Sequence, residues 1–120
     1  MSGAVPFTQA VAGSQHLHAA ERQWTPSDAP GFEIVTLFEN RATGELTQLM
    51  RVAPGAYAGP HSHDRLEEIL VLDGTFADDA CEYRQGSYCI RAPGAVHTAR
   101  SATGCVVLLV YRGAPQESAS

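Results

Sequence analysis

Residues 55–74, GAYAGPHSHDRLEEILVLDG, carry two histidines at alternate positions, His61 and His63, and a carboxylate four residues further on, Glu67. In a β-strand alternate side chains share a face, so His61 and His63 can both aim inward from one strand end while Ser62 points away. A turn at Asp64 and Arg65 then brings Glu67 back on the next strand beside them. The same alternation puts Glu67, Ile69 and Val71 on the inward face and Glu68, Leu70 and Leu72 on the outward one. Glu68 is therefore rejected as a general base. Residues 86–97, GSYCIRAPGAVH, deliver a third imidazole, His97, just after the Pro93-Gly94 turn signal. Three imidazoles and a carboxylate are a complete ligand set for a divalent transition metal. His61, His63, Glu67 and His97 are the candidate metal ligands. His16 and His18 repeat the spacing of the first pair without the rest of the pattern, and are read as a solvated loop.

The full pattern resembles the cupin superfamily. Its first motif, Gly-x5-His-x-His-x3-Glu-x6-Gly, is filled at Gly55, His61, His63, Glu67 and Gly74. Its second is matched at Gly86, Gly94 and His97, with Pro93 one place late and Ser101 where an asparagine would stand. The EEILVLDGTFADD run and the phrase RAPGAVHTARSATGC most resemble the ChrR-like cupins, a group that includes the C-terminal domain of the zinc-binding anti-sigma factor ChrR and stand-alone relatives. The resemblance spans roughly residues 24 to 112 and implies an all-β, single-domain double-stranded β-helix, the jelly-roll barrel. The donor set itself suits zinc or iron as cofactor, with manganese or nickel as alternatives. For activity the resemblance offers a dioxygenase acting on a ketone or diketone, or a ChrR-like zinc-binding sensor without turnover. The enzyme reading is preferred, and a purely structural zinc ranks last. An anti-sigma factor also needs a helical zinc-binding module, which is not read before Trp24, so direct sigma-factor binding is not expected.

The remaining sequence agrees with a barrel. Its 120 residues suffice for one domain with its own core. Strands are expected at 32–38, 45–52, 57–63, 66–73, 75–79, 87–91, 96–101 and 105–112, short runs with turns between them and no competing helical period. Residues 1–23 read as an N-terminal arm, 24–113 as the barrel and 114–120 as a flexible tail. A net charge of −5 with eight scattered basic residues argues against a nucleic-acid surface. No apolar run approaches the ~20 residues of a membrane span, and no leader pattern opens the chain. A cytoplasmic protein that handles a small-molecule ligand is expected. Cys81, Cys89 and Cys105 show no CxxC spacing and are read as free thiols.

Two further expectations concern faces. Residues 69–72 and 106–111 are apolar on both alternating faces, so something must cover the outer one. A homodimer is expected, with cover by the N-terminal arm as the alternative. Inward positions around the metal are expected to include Met50, Tyr57, Phe76 and Tyr88, the two tyrosines being core aromatics or ligand hydrogen-bonding groups. Arg51, Arg91 and Arg100 are assigned no role.

Overall fold

β-Branched and aromatic residues in short runs, each closed by a glycine or proline turn, give ten strands in the computed structural model, which describes residues 6–113. They are β1 (Thr25–Pro26), β2 (Phe32–Asn40), β3 (Glu45–Val52), β4 (Tyr57–His61), β5 (Leu66–Gly74), β6 (Phe76–Ala77), β7 (Glu82–Tyr83), β8 (Tyr88–Arg91), β9 (His97–Arg100) and β10 (Cys105–Arg112). A single turn of 3-10 helix, Ala19–Glu21, interrupts the segment before them. All ladders between strands are antiparallel. One sheet runs β1-β2-β3-β10-β5-β8 and the other β4-β9-β6-β7. This is the all-β, two-layered barrel expected from the sequence.

Most differences from the expected strands lie at their ends. β4 stops at His61, so His63 stands in the loop beyond the strand rather than on it. The 75–79 run shortens to β6, and a β7 that the sequence did not announce pairs with it. The tail at 114–120 and residues 1–5 lie outside the described residues.

The core fills the space between the layers. Phe32, Val52, Ile69, Val71, Phe76, Val107 and Leu109 are buried there, and Val107 has no exposed surface at all. β10, at the centre of the larger sheet, alternates buried and half-buried residues along its length. On the outer face of that sheet the two halves differ. Val35 and Leu49, cross-strand partners, are buried, and near them Trp24 stacks on the Arg51 guanidinium at 4.3 Å. Leu70, Leu72, Tyr88 and Ile90, on β5 and β8, stay exposed. The arm also joins the edge of β2, where Phe7 exchanges backbone hydrogen bonds with Leu37 and Glu39.

Gly74 marks where β5 turns toward the second sheet. It holds φ +75°, and a Cβ there would run into the Gly104 carbonyl oxygen. Gly86 has φ +88° with open space around it. Gly74→Ala is therefore expected to destabilise the fold by at least ~2 kcal/mol, and Gly86→Ala by about 1 kcal/mol of backbone strain alone. Equal shifts of the two urea midpoints would contradict this difference.

Candidate metal centre

Strand register brings the candidate residues together. β4 and β9 pair Tyr57 with Arg100, Ala58 with Ala99 and then His61 with His97, so β4 holds one extra residue between Ala58 and His61. That bulge, at Gly59 and Pro60, lies on an edge strand, where a proline costs no ladder hydrogen bond. It also reverses the alternation. Ala58 and His61 both face the interior cavity, and Tyr57 is turned to solvent, 56% exposed. The expectation that Tyr57 points inward is thereby corrected. Tyr88 is corrected as well: it pairs with the outward Leu70, so it shares the outer face. Met50 and Phe76 do line the cavity, as expected.

The three imidazoles converge. Their nitrogens lie within 4.8 Å of one another, with ring centroids 4.3 Å apart for His61 and His97, 5.3 Å for His61 and His63, and 5.4 Å for His63 and His97. His61 Nδ1 lies 2.7 Å from the Gly59 carbonyl, and His97 Nδ1 lies 3.1 Å from that of Ala95. With Nδ1–H donated to those carbonyls, each Nε2 keeps its lone pair for another partner, the arrangement that orients a metal-binding histidine. His63 is held through its backbone, whose carbonyl accepts the Gly94 N–H at 2.7 Å. Burial lowers the pKa of His63, against the opposing pull of Glu67. Burial, with Arg91 nearby, also lowers that of His97. Both rings are thereby favoured in the neutral, metal-binding form.

The cluster of mutually close donors is the three histidines, and Glu67 lies beside it. Oε1 lies 3.7 Å from His97 Nε2 and Oε2 lies 3.8 Å from His63 Nε2. The carboxylate is buried, and its two register neighbours both bond to it. Arg91, opposite Glu67 on β8, donates Nη1–H to Oε1 at 2.8 Å. Tyr111, opposite on β10, donates its hydroxyl to Oε2 at 3.0 Å. Glu68 faces the other way, accepting from the Tyr88 hydroxyl and pairing with Arg112. The three nitrogen donors, the ring orientations of His61 and His97 and the lowered pKa values of His63 and His97 fit a divalent transition metal.

Asp78, Arg91 and Tyr111 were missed or discounted by sequence reasoning. Arg91 is one strand residue away from the exposed Ile90, and only its pairing with Glu67 reveals that it points inward. Its Nη2 reaches Asp78 Oδ2 at 2.8 Å. Asp78 also accepts the Tyr83 hydroxyl and the N–H groups of Ala80 and Cys81.

The cavity behind the histidines has a volume of about 100 Å³ and a largely apolar wall, to which Phe32, Met50, Phe76 and Leu109 contribute. About a third of the His63 side chain remains exposed, so the cluster is reachable from solvent. A second hollow, bordered by Gln48, Asp64 and Arg65, shares His63 and Tyr111 with the first.

The sequence matches the model of the ChrR Cupin-like domain over residues 12–115. The chain belongs to this family. No curated protein sequence matches it. Among solved structures, this cupin is similar to the anti-sigma factor ChrR bound to SigE of Rhodobacter sphaeroides, with a TM-score of 0.68 and 22% identity. That match covers 78% of this chain and 51% of the other, so this cupin spans about half the length of that relative. It is also similar to an acetylacetone dioxygenase from Acinetobacter johnsonii, with a TM-score of 0.73 at 13% identity, covering 93% of this chain and 81% of the other. An RmlC-like cupin from Shewanella frigidimarina gives a TM-score of 0.72 at 15% identity, covering 88% and 95%. Among the described residues, no helix is long and apolar enough to cross a membrane.

Burial alone would raise the Asp78 pKa, but the Arg91 hydrogen bond, helped by the N–H groups of Cys81 and Ala80 and the Tyr83 hydroxyl, depresses it from 3.8 to about 2. A depressed pKa contributes stability that is fully present above 3.8 and lost as the pH falls through about 2. Acid unfolding followed by circular dichroism is expected to show Asp78→Asn with a smaller loss of stability across that window than the native protein. Parallel curves would show that Asp78 carries none of it.

Proposed function

We propose that this cupin is a metal-dependent enzyme acting on a small molecule, with His61, His63, Glu67 and His97 as ligands and a ketone or diketone as substrate class. The observation that carries this reading is the placement of the donors. They converge at the wall of a small apolar cavity reachable from solvent, whereas a purely structural ion would need no cavity beside it. Zinc or iron suits such a donor set best, with manganese or nickel as alternatives. Bound there, the ion supplies Lewis-acid polarisation of a carbonyl oxygen and, as iron, redox chemistry with dioxygen.

The chain's own residues contribute binding, orientation and charge. Phe32, Met50, Phe76 and Leu109 exclude water and offer an apolar surface to the substrate's carbon skeleton. The small cavity limits the reacting part to a few heavy atoms. Imidazoles bind a metal in their neutral form, so around a bound ion the buried charges of Glu67, Asp78 and Arg91 sum to one negative, which a divalent ion reverses to one positive. Such a site favours a monoanion, and the enolate of a 1,3-diketone is one. The similarity to an acetylacetone dioxygenase supports the same substrate class at the level of fold.

The family favours a second reading, a sensor domain like that of ChrR, in which a ligand or oxidant alters the metal's coordination without turnover. Elemental analysis of untagged protein, with the His61→Ala/His63→Ala variant alongside, followed by oxygen-electrode assays with 1,3-diketones, separates the two. Iron or manganese that disappears in the variant, together with oxygen consumption, is expected. Stoichiometric zinc without oxygen consumption would overturn the enzyme reading. For the ligands, His97→Ala is expected to lower metal affinity strongly and Glu68→Ala to leave it unchanged; equal retention in both would sink the assignment. The exposed strip of Leu70, Leu72, Tyr88 and Ile90 supports a homodimer. A monomer mass by light scattering would exclude it.

A further inference from the structure

Arg91 presents an electrostatic problem that the proposed ligands alone do not solve. Its guanidinium lies 2.8 Å from Glu67 Oε1, which is itself 3.7 Å from His97 Nε2. Both partners of the ion pair are almost fully buried. A divalent cation held by Glu67 and the imidazoles would thus sit close to a fixed positive charge in a site with little water to screen it. Once Glu67 shares its charge with the cation, the guanidinium has lost half of its compensation. The other half is Asp78, bonded through Arg91's second terminal nitrogen at 2.8 Å and equally buried.

Asp78 is well built for that role. Oδ1 accepts N–H groups from Ala80 and Cys81 at 2.9 and 3.0 Å, while Oδ2 takes the Tyr83 hydroxyl at 3.0 Å besides Arg91. Four donors on one short side chain leave it little freedom to follow Arg91 if the guanidinium is repelled. The anchor is therefore fixed, and Arg91 is tethered to it.

We propose that Asp78 is a charge-balancing positioning residue for the metal centre: it keeps the Arg91 guanidinium docked on Glu67 when a divalent cation binds, and so fixes the orientation of that carboxylate toward the imidazoles. This rests on the reading of His61, His63, Glu67 and His97 as ligands. A residue that only staples the two sheets would act on stability but not on the cost of placing a dication beside Arg91.

Cobalt(II) titration of the apoprotein distinguishes these roles, since it yields an affinity and a visible spectrum sensitive to coordination. Asp78→Asn is expected to weaken cobalt binding at least ~10-fold and to change the spectrum. Adding Arg91→Met to that variant removes the unbalanced charge, and the double variant is expected to bind cobalt more tightly than Asp78→Asn alone. A double variant no better than the single would overturn the charge-balancing role, as would native affinity in Asp78→Asn. If Asp78→Asn does not fold, Tyr83→Phe, which removes one donor from Oδ2, is expected to give a smaller loss in the same direction, and an unchanged affinity there overturns the proposal. Cobalt binding lost in His61→Ala/His63→Ala but intact in Asp78→Asn would sink this inference alone. No uptake by the native protein would sink the ligand assignment with it.

Discussion

The buried carboxylate of Glu67 is the constraint around which this barrel is arranged. An unpaired carboxylate in a dry interior is costly, and removing the partner of a buried ion typically destabilises a protein by ~3–5 kcal/mol. Here two register neighbours meet that requirement from both sides, Arg91 on β8 and Tyr111 on β10. Arg91 in turn needs Asp78, and Asp78 needs the tight turn that offers the N–H groups of Ala80 and Cys81. The polar chain thus extends from the centre of the larger sheet to the turn joining β6 and β7. Its members are specified together, because each would be an unsatisfied buried group without the next.

The histidines obey a different logic. His61 and His97 are placed by direct pairing of β4 with β9, and their Nδ1 atoms find carbonyls two residues earlier in their own segments. His63 is placed by a loop, tied to the turn before His97 through the Gly94 N–H. Two donors therefore ride on a ladder and one on a loop. The bulge in β4 lets Ala58 and His61 both face inward, which regular alternation would forbid.

Much of this was legible in the sequence. The alternation of residues 66–73 correctly separated Glu67 from Glu68, because a strand with one dry and one wetter face leaves its parity in the order of residues. The barrel was legible from the recurrence of short β-branched runs and turns. What alternation cannot show is a break in itself. Tyr57 was expected to point inward because nothing in Ala58-Gly59-Pro60 fixes where an extra residue enters the ladder. Tyr88, Arg91 and Tyr111 depend on which strand pairs with which and in what register. A lone arginine in a half-apolar strand resembles an exposed one until its partner across the ladder is known.

Layer membership of these groups carries a mechanical consequence. His61 and His97 belong to the four-stranded sheet, whereas Glu67 and Arg91 belong to the six-stranded one. Asp78, directly after β6, sits on the side opposite Arg91, so the ion pair and the donor cluster both cross the seam between the leaves. An ion held by this cluster would act as a rivet, and the Asp78–Arg91 pair as a second fastener beside it. Spreading of the two leaves, the motion that would widen the cavity between them, is then opposed by the same groups that define the site. Filling the centre would then stiffen the barrel along that seam.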